Sequence, residues 1–118
     1  GQGPAIEFSL SGEPRELVPE VWNEAYGICR EAISNSVRHA EANKIEITLV
    51  FDKDFAMAIQ DDGKGIKQDT AERGRDGHFG ILGMRERAEN LGAKINIGVL
   101  QPQGTVVELI ISANRAYV

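Results

Sequence analysis

Apolar and polar positions alternate at both ends of the chain and recur at helical spacing in two stretches between, and this pattern predicts the order of elements. Ile6, Phe8 and Leu10 alternate with polar residues as a short half-buried strand, which Ser11-Gly12-Glu13-Pro14 breaks. From Pro19 to about Ala40, Val21, Ala25, Ile28, Ala32, Ile33 and Val37 recur every three or four residues, and Pro19 suits a first turn. This is a helix of roughly six turns. Gly27 inside it costs ~1 kcal/mol relative to alanine, a cost explained by close packing or by simple tolerance.

After Glu41-Ala42-Asn43, the residues Ile45, Ile47, Leu49 and Phe51 share one face, Asp52-Lys53-Asp54 turns the chain, and Phe55, Met57 and Ile59 share a face again. The pair reads as a hairpin. Residues 67 to 77 carry many charges and no apolar period, which predicts a mobile loop. A second helix runs from near Gly80 to Leu91, and Gly92 is placed to end it in a left-handed cap. Ile95, Ile97 and Val99 then alternate, Gln101-Pro102-Gln103-Gly104 turns, and Thr105, Val107, Leu109 and Ile111 alternate as a second hairpin. The expected fold is a two-layer α/β sandwich: a mixed, mostly antiparallel sheet of about five strands, covered on one face by helices.

Composition narrows the class. A chain of 118 residues, 42% hydrophobic and 26% charged, makes one domain, here residues 1–118, with no sign of disorder. The formal net charge of -5 argues against nucleic acid or an anionic membrane as partner. The single Cys29 excludes an internal disulfide and reads as a buried thiol in a reducing compartment. No run approaches the ~18–20 apolar residues of a membrane span, and the basic and apolar blocks of a signal peptide are missing. Gly1-Gln2-Gly3 carries no pattern, as expected of a piece excised from a longer protein.

Three groups of residues carry chemistry. Strand phase puts Asp61 on the same face as Phe55, Met57 and Ile59, so a carboxylate ends a row that points into the core. It either accepts from a donor such as the exocyclic amine of adenine, or caps the turn made by Asp62, Gly63 and Gly65. Glycines at 63 and 65 also let backbone pass flush against a flat ring. On the long helix, Glu31, Asn35 and His39 stack along one edge beside Arg38, as a solvated face or as a polar strip in which the Asn35 amide oxygen suits Mg2+. Gly77-His78-Phe79-Gly80-Ile81-Leu82-Gly83-Met84 places glycines at a helix entry, either a plain flexible N-terminus or a phosphate site. No Walker loop and no Rossmann fingerprint occurs.

In order along the chain, these strings resemble the motifs of the GHKL superfamily, which groups gyrase, mismatch-repair and heat-shock ATPases with histidine kinases. Arg30-Glu31-Ala32-Ile33-Ser34-Asn35 with Arg38-His39-Ala40 resembles its N box, and Asp61-Asp62-Gly63-Lys64-Gly65-Ile66 its first glycine box. The string from Gly77 to Ala88 is similar to the form in sensor histidine kinases of the nitrate-sensor class, and Gly104-Thr105 completes the set. The resemblance implies that Asp61 accepts from adenine with support from Thr105, while Gly63 and Gly65 shape the slot for the ring. It implies that Asn35 holds Mg2+, Arg38 faces phosphates, His39 lies near ribose and base, and Gly80 and Gly83 offer amides to phosphates. Glu31 matches the acidic position that activates water in the ATPase branches, and in kinases it polarises the attacking imidazole. It further implies that residues 67 to 76 are part of a lid over the triphosphate.

The function implied is that of the ATP·Mg-binding catalytic domain of a two-component sensor histidine kinase. It donates the γ-phosphoryl group to a histidine on a separate helical dimerisation domain, from which a response regulator takes it. By that resemblance, the domain alone is a monomer, its parent a homodimer, and its location cytoplasmic, with or without a membrane anchor elsewhere. His39 and His78 both lie in nucleotide motifs and are not expected to accept the phosphoryl group. A stand-alone serine kinase of the anti-sigma type and a nucleotide-binding pseudo-enzyme are the alternatives.

Overall fold

The computed structural model describes residues 3–38, 40–64 and 80–118. Strands β1 (Ala5–Gly12), β2 (Lys44–Phe51), β3 (Phe55–Asp61), β4 (Lys94–Val99) and β5 (Thr105–Ile111) form one sheet in the order β1-β2-β3-β5-β4. Helix α1 (Pro19–Arg38) lies between β1 and β2, α2 (Ile81–Asn90) before β4, and a short α3 (Ala113–Ala116) follows β5. β1 runs parallel to β2 and the other pairs are antiparallel, so both expected hairpins are present in a mixed sheet. α3, too short for a periodic signal, has no counterpart among the expected elements.

The core lies between one face of the sheet and the two long helices. Phe55, Met57 and Ile59 of β3 and Val107, Leu109 and Ile111 of β5 point inward, as strand alternation requires, and meet Ile28 and Ala32 of α1 and Met84 and Ala88 of α2. The chain closes on itself at the far end, where Leu17 bridges to Tyr117 and Val18 N–H donates to the Ala116 carbonyl.

Three expectations need correction. β1 is not half-buried: Ile6, Phe8 and Leu10 are 55%, 62% and 46% exposed, because an edge strand lies beyond the cover of the helices. Val37 is exposed, since the inward phase of α1 runs through residues 21, 25, 28, 32 and 36 and so puts Ser36 inside instead. Cys29 is half-buried against the core, and burial pushes its thiol pKa up.

Gly92 ends α2 with φ +62°, the cap geometry its position predicts. The core is tight around Ile28, which has no exposed surface. Ile28→Ala should therefore lower stability by about 2–5 kcal/mol, read as a shifted urea midpoint at unchanged slope.

Candidate functional site

The inward row of β3 ends in a charge. Asp61 is only 7% exposed, on the inward face with Phe55, Met57 and Ile59, as strand phase predicts. Burial at this level requires donors, and three elements supply them. Ser36 Oγ of α1 lies 2.6 Å from Asp61 Oδ2, the Gly63 amide donates to Oδ1 at 2.9 Å, and the Thr105 amide donates to the same oxygen at 3.2 Å. The Ser36 hydroxyl also lies 3.1 Å from the Ala32 carbonyl, but it has one proton, and the nearer, charged carboxylate is the stronger acceptor. Of the two readings of Asp61, the structure shows the turn cap, made by Oδ1 with the Gly63 amide, while Oδ2 takes the Ser36 hydroxyl.

Ser36 is absent from the sequence-based site. Its signal was present as a polar residue one turn after Ala32 on the inward face of α1, where the apolar Val37 next to it drew the assignment.

Asp61, Asn35, Ser36 and Thr105 line one cleft between α1, α2 and the sheet, whose remaining walls are apolar, among them Ile59 and Met84. Register explains the meeting of Asp61 and Thr105: they are direct cross-strand partners in the β3–β5 pair. Thr105 Oγ1 is buried here with no hydrogen-bond partner among the described residues. An orphaned hydroxyl next to a carboxylate lone pair, between apolar walls, suits a flat ligand carrying an amine and ring nitrogens. The free space at this point is about 20 Å3, room for one water, so admitting a larger ligand requires the walls to part.

The remaining residues lie around this cleft. Gly63 is buried, and a Cβ there would run into the carbonyl and side chain of Ala40, whose carbonyl also accepts from the Lys64 amide at 2.8 Å. The first glycine of the box thus lets the turn after β3 press against the end of α1. Glu31 is half-buried, with its carboxylate against Gly80, where φ is +62° and no side chain fits. Gly83 is exposed on the first turn of α2, and Arg38 is exposed at the last residue of α1. His39, Gly65, Gly77, His78 and the lid expected at 67 to 76 lie outside the described residues.

Asp62 stays outside and points the other way. Its Oδ1 accepts from the Asn43 and Lys44 amides at 2.8 and 2.9 Å, tying the start of β2 to the end of β3. Those backbone donors hold its pKa below the ordinary 3.8. A lowered folded pKa contributes stability that is complete above the unfolded value and lost as pH falls through the folded one. Asp62→Asn should therefore flatten the acid limb of the stability–pH profile below about pH 4, measured by denaturation at stepped pH. Ser36→Ala leaves the buried carboxylate one donor short, and should cost about 1–3 kcal/mol in urea denaturation at neutral pH.

The profile of the histidine kinase-, DNA gyrase B-, and HSP90-like ATPase family matches residues 21–115. The histidine-protein kinase/phosphatase DegS of Bacillus subtilis is 31% identical over 105 residues, covering 86% of this chain and 27% of that protein. The sensor protein VraS of Staphylococcus aureus is 37% identical over 92 residues, covering 76% and 25%. The chain thus spans about a quarter of the length of these relatives. The histidine kinase AdeS of Acinetobacter baumannii superposes with a TM-score of 0.75 at 19% identity over 95% of this chain and 55% of that one, a likeness of fold. With the family profile matching residues 21–115, about four-fifths of the chain, this protein belongs to the histidine kinase-, DNA gyrase B-, and HSP90-like ATPase family.

Proposed function

We propose that this domain positions ATP·Mg2+ for transfer of the γ-phosphoryl group to a histidine on a separate helical dimerisation domain of the same kinase. The observation that carries the reading is the buried Asp61 carboxylate, with one lone pair open beside the orphaned Thr105 hydroxyl in an apolar cleft. Asp61 accepts from the adenine amine, Thr105 serves the ring directly or through water, and Gly63 with Gly65 keeps the slot flat.

Mg2+ fits the donor set in one manner. Among the described residues there is no group of three histidine, cysteine or acidic side chains to cage a metal. Asn35, at the cleft, gives a single hard oxygen, as suits an ion that takes its other ligands from water and phosphate. The ion supplies charge neutralisation to the triphosphate. Glu31, one turn before Asn35 on the same face, orients and polarises the attacking imidazole. Arg38 faces the phosphates, His39 lies near ribose and base, and Gly80 and Gly83 present amides at the entry of α2. Transfer then depends on positioning and electrostatics, since no covalent intermediate on this chain is required.

The form of the string from Gly77 to Ala88 supports placement in the nitrate-sensor class. In that setting the domain acts on the cytoplasmic side, as a monomeric unit of a homodimeric parent that serves a response regulator. No helix among the described residues is long and apolar enough to cross a membrane.

Mixing the domain with the dimerising hairpin of its parent and labelled ATP should give an acid-labile label on the hairpin histidine. Nucleotide binding without label would sink the kinase reading. Asp61→Asn removes the charged acceptor, and should weaken ATP binding by about 1.5–3 kcal/mol in a fluorescent-nucleotide titration. Unchanged affinity would refute the role of Asp61.

A further inference from the structure

α1 and α2 meet antiparallel along one stripe of α1, and Gly27 is its centre. Glu24, Gly27, Glu31 and Asn35 follow one another at intervals of three or four residues, so they share a face. At Gly27, which is buried, a Cβ would fall 2.6–2.8 Å from Cζ, Nη1 and Nε of Arg87, so the guanidinium lies flat on bare helix backbone. Arg87 Nη1 donates to Glu24 Oε1 at 2.7 Å, and Asn90 Nδ2 donates to Glu24 Oε2 at 2.8 Å. Both carboxylate oxygens of Glu24 are thus held by one face of α2. About two turns further along each helix, Glu31 seats against Gly80 in the same sense. Met84, between Gly80 and Arg87 on α2, lines the cleft opposite Asn35.

We propose that Arg87 is a positioning residue for nucleotide binding. Laid on Gly27 and tied to Glu24, it fixes where α2 sits along α1, and so sets the gap between Met84 and the Asn35–Ser36 edge of α1. The arrangement contributes geometry more than stability. A glycine in a helix interior weakens the helix, and an ion pair whose arginine side chain is 40% exposed returns little. The base of the cleft has room for about one water, so its width is set by how closely the first turn of α2 lies to α1, and the latch holds the other end of α2 in register. This inference rests on the reading of the cleft as a nucleotide site.

The two effects of Gly27→Ala have opposite signs, which makes it the informative variant. Alanine favours the helix and displaces only the end of a flexible arginine, so thermal stability should hold or rise. Nucleotide affinity, by titration with a fluorescent ATP analogue well below the melting range, should fall by roughly fivefold to tenfold. Arg87→Ala should give a similar loss, Arg87→Lys only partial recovery, since lysine lacks the flat fork. Gly27→Ala added to Arg87→Ala should cost nothing more. Affinities of Gly27→Ala and Arg87→Ala equal to that of the unmutated chain would overturn the latch alone, and so would losses that simply add. No binding by the unmutated chain would overturn the nucleotide reading and this inference with it.

Discussion

A carboxylate taken out of water at the end of β3 is the constraint on which the rest of the site depends. Burying Asp61 is tolerable only if its oxygens find donors, and the donors come from three places far apart in the sequence. The Gly63 amide comes from the turn that follows, the Thr105 amide from the neighbouring strand, and the Ser36 hydroxyl from α1. Satisfying one charge therefore ties helix, sheet and turn together. It also leaves the cleft with a small, directed polar patch in apolar walls, the combination that gives a ligand orientation as well as affinity.

Helix α1 does two jobs with adjacent faces. Its apolar positions Val21, Ala25, Ile28 and Ala32 cover the sheet, while the stripe from Glu24 to Asn35 faces α2. The two glycines on this seam, Gly27 within α1 and Gly80 at the N-cap of α2, are each covered by a charged side chain of the opposite helix. Such close approach fixes the axial relation of two helices more sharply than apolar packing alone, since a step along the helix would lose both seats at once. The position of the first turn of α2 is thus tied to contacts made near its last.

Much of the fold was legible in the sequence because its signals are local. Alternation in β2, β3, β4 and β5 and the helical period of α1 and α2 survive in the structure, as do the Gly92 cap and the inward placement of Asp61. Local signals failed where a neighbour decides burial. Nothing in Ile6, Phe8 and Leu10 says that the strand lies at an edge beyond the helices, and apolar character favoured Val37 over Ser36 although helical phase favoured Ser36. The meaning of Gly27 was open for the same reason, since the arginine that rests on it is 60 positions away in the chain.

The sequence by itself determined the element order, the family and the presence of an acidic group on the core side of β3, because periodicity and motif spacing are properties of residues close together along the chain. Tertiary structure alone decided that Ser36 and the Thr105 amide reach Asp61, that the Thr105 hydroxyl is buried without a partner among the described residues, and how Arg87 comes to lie on Gly27. Those contacts, unlike that of the local Gly63 amide with Asp61, join residues tens of positions apart, and only packing of the helices on the sheet selects them from the many that the same local pattern allows.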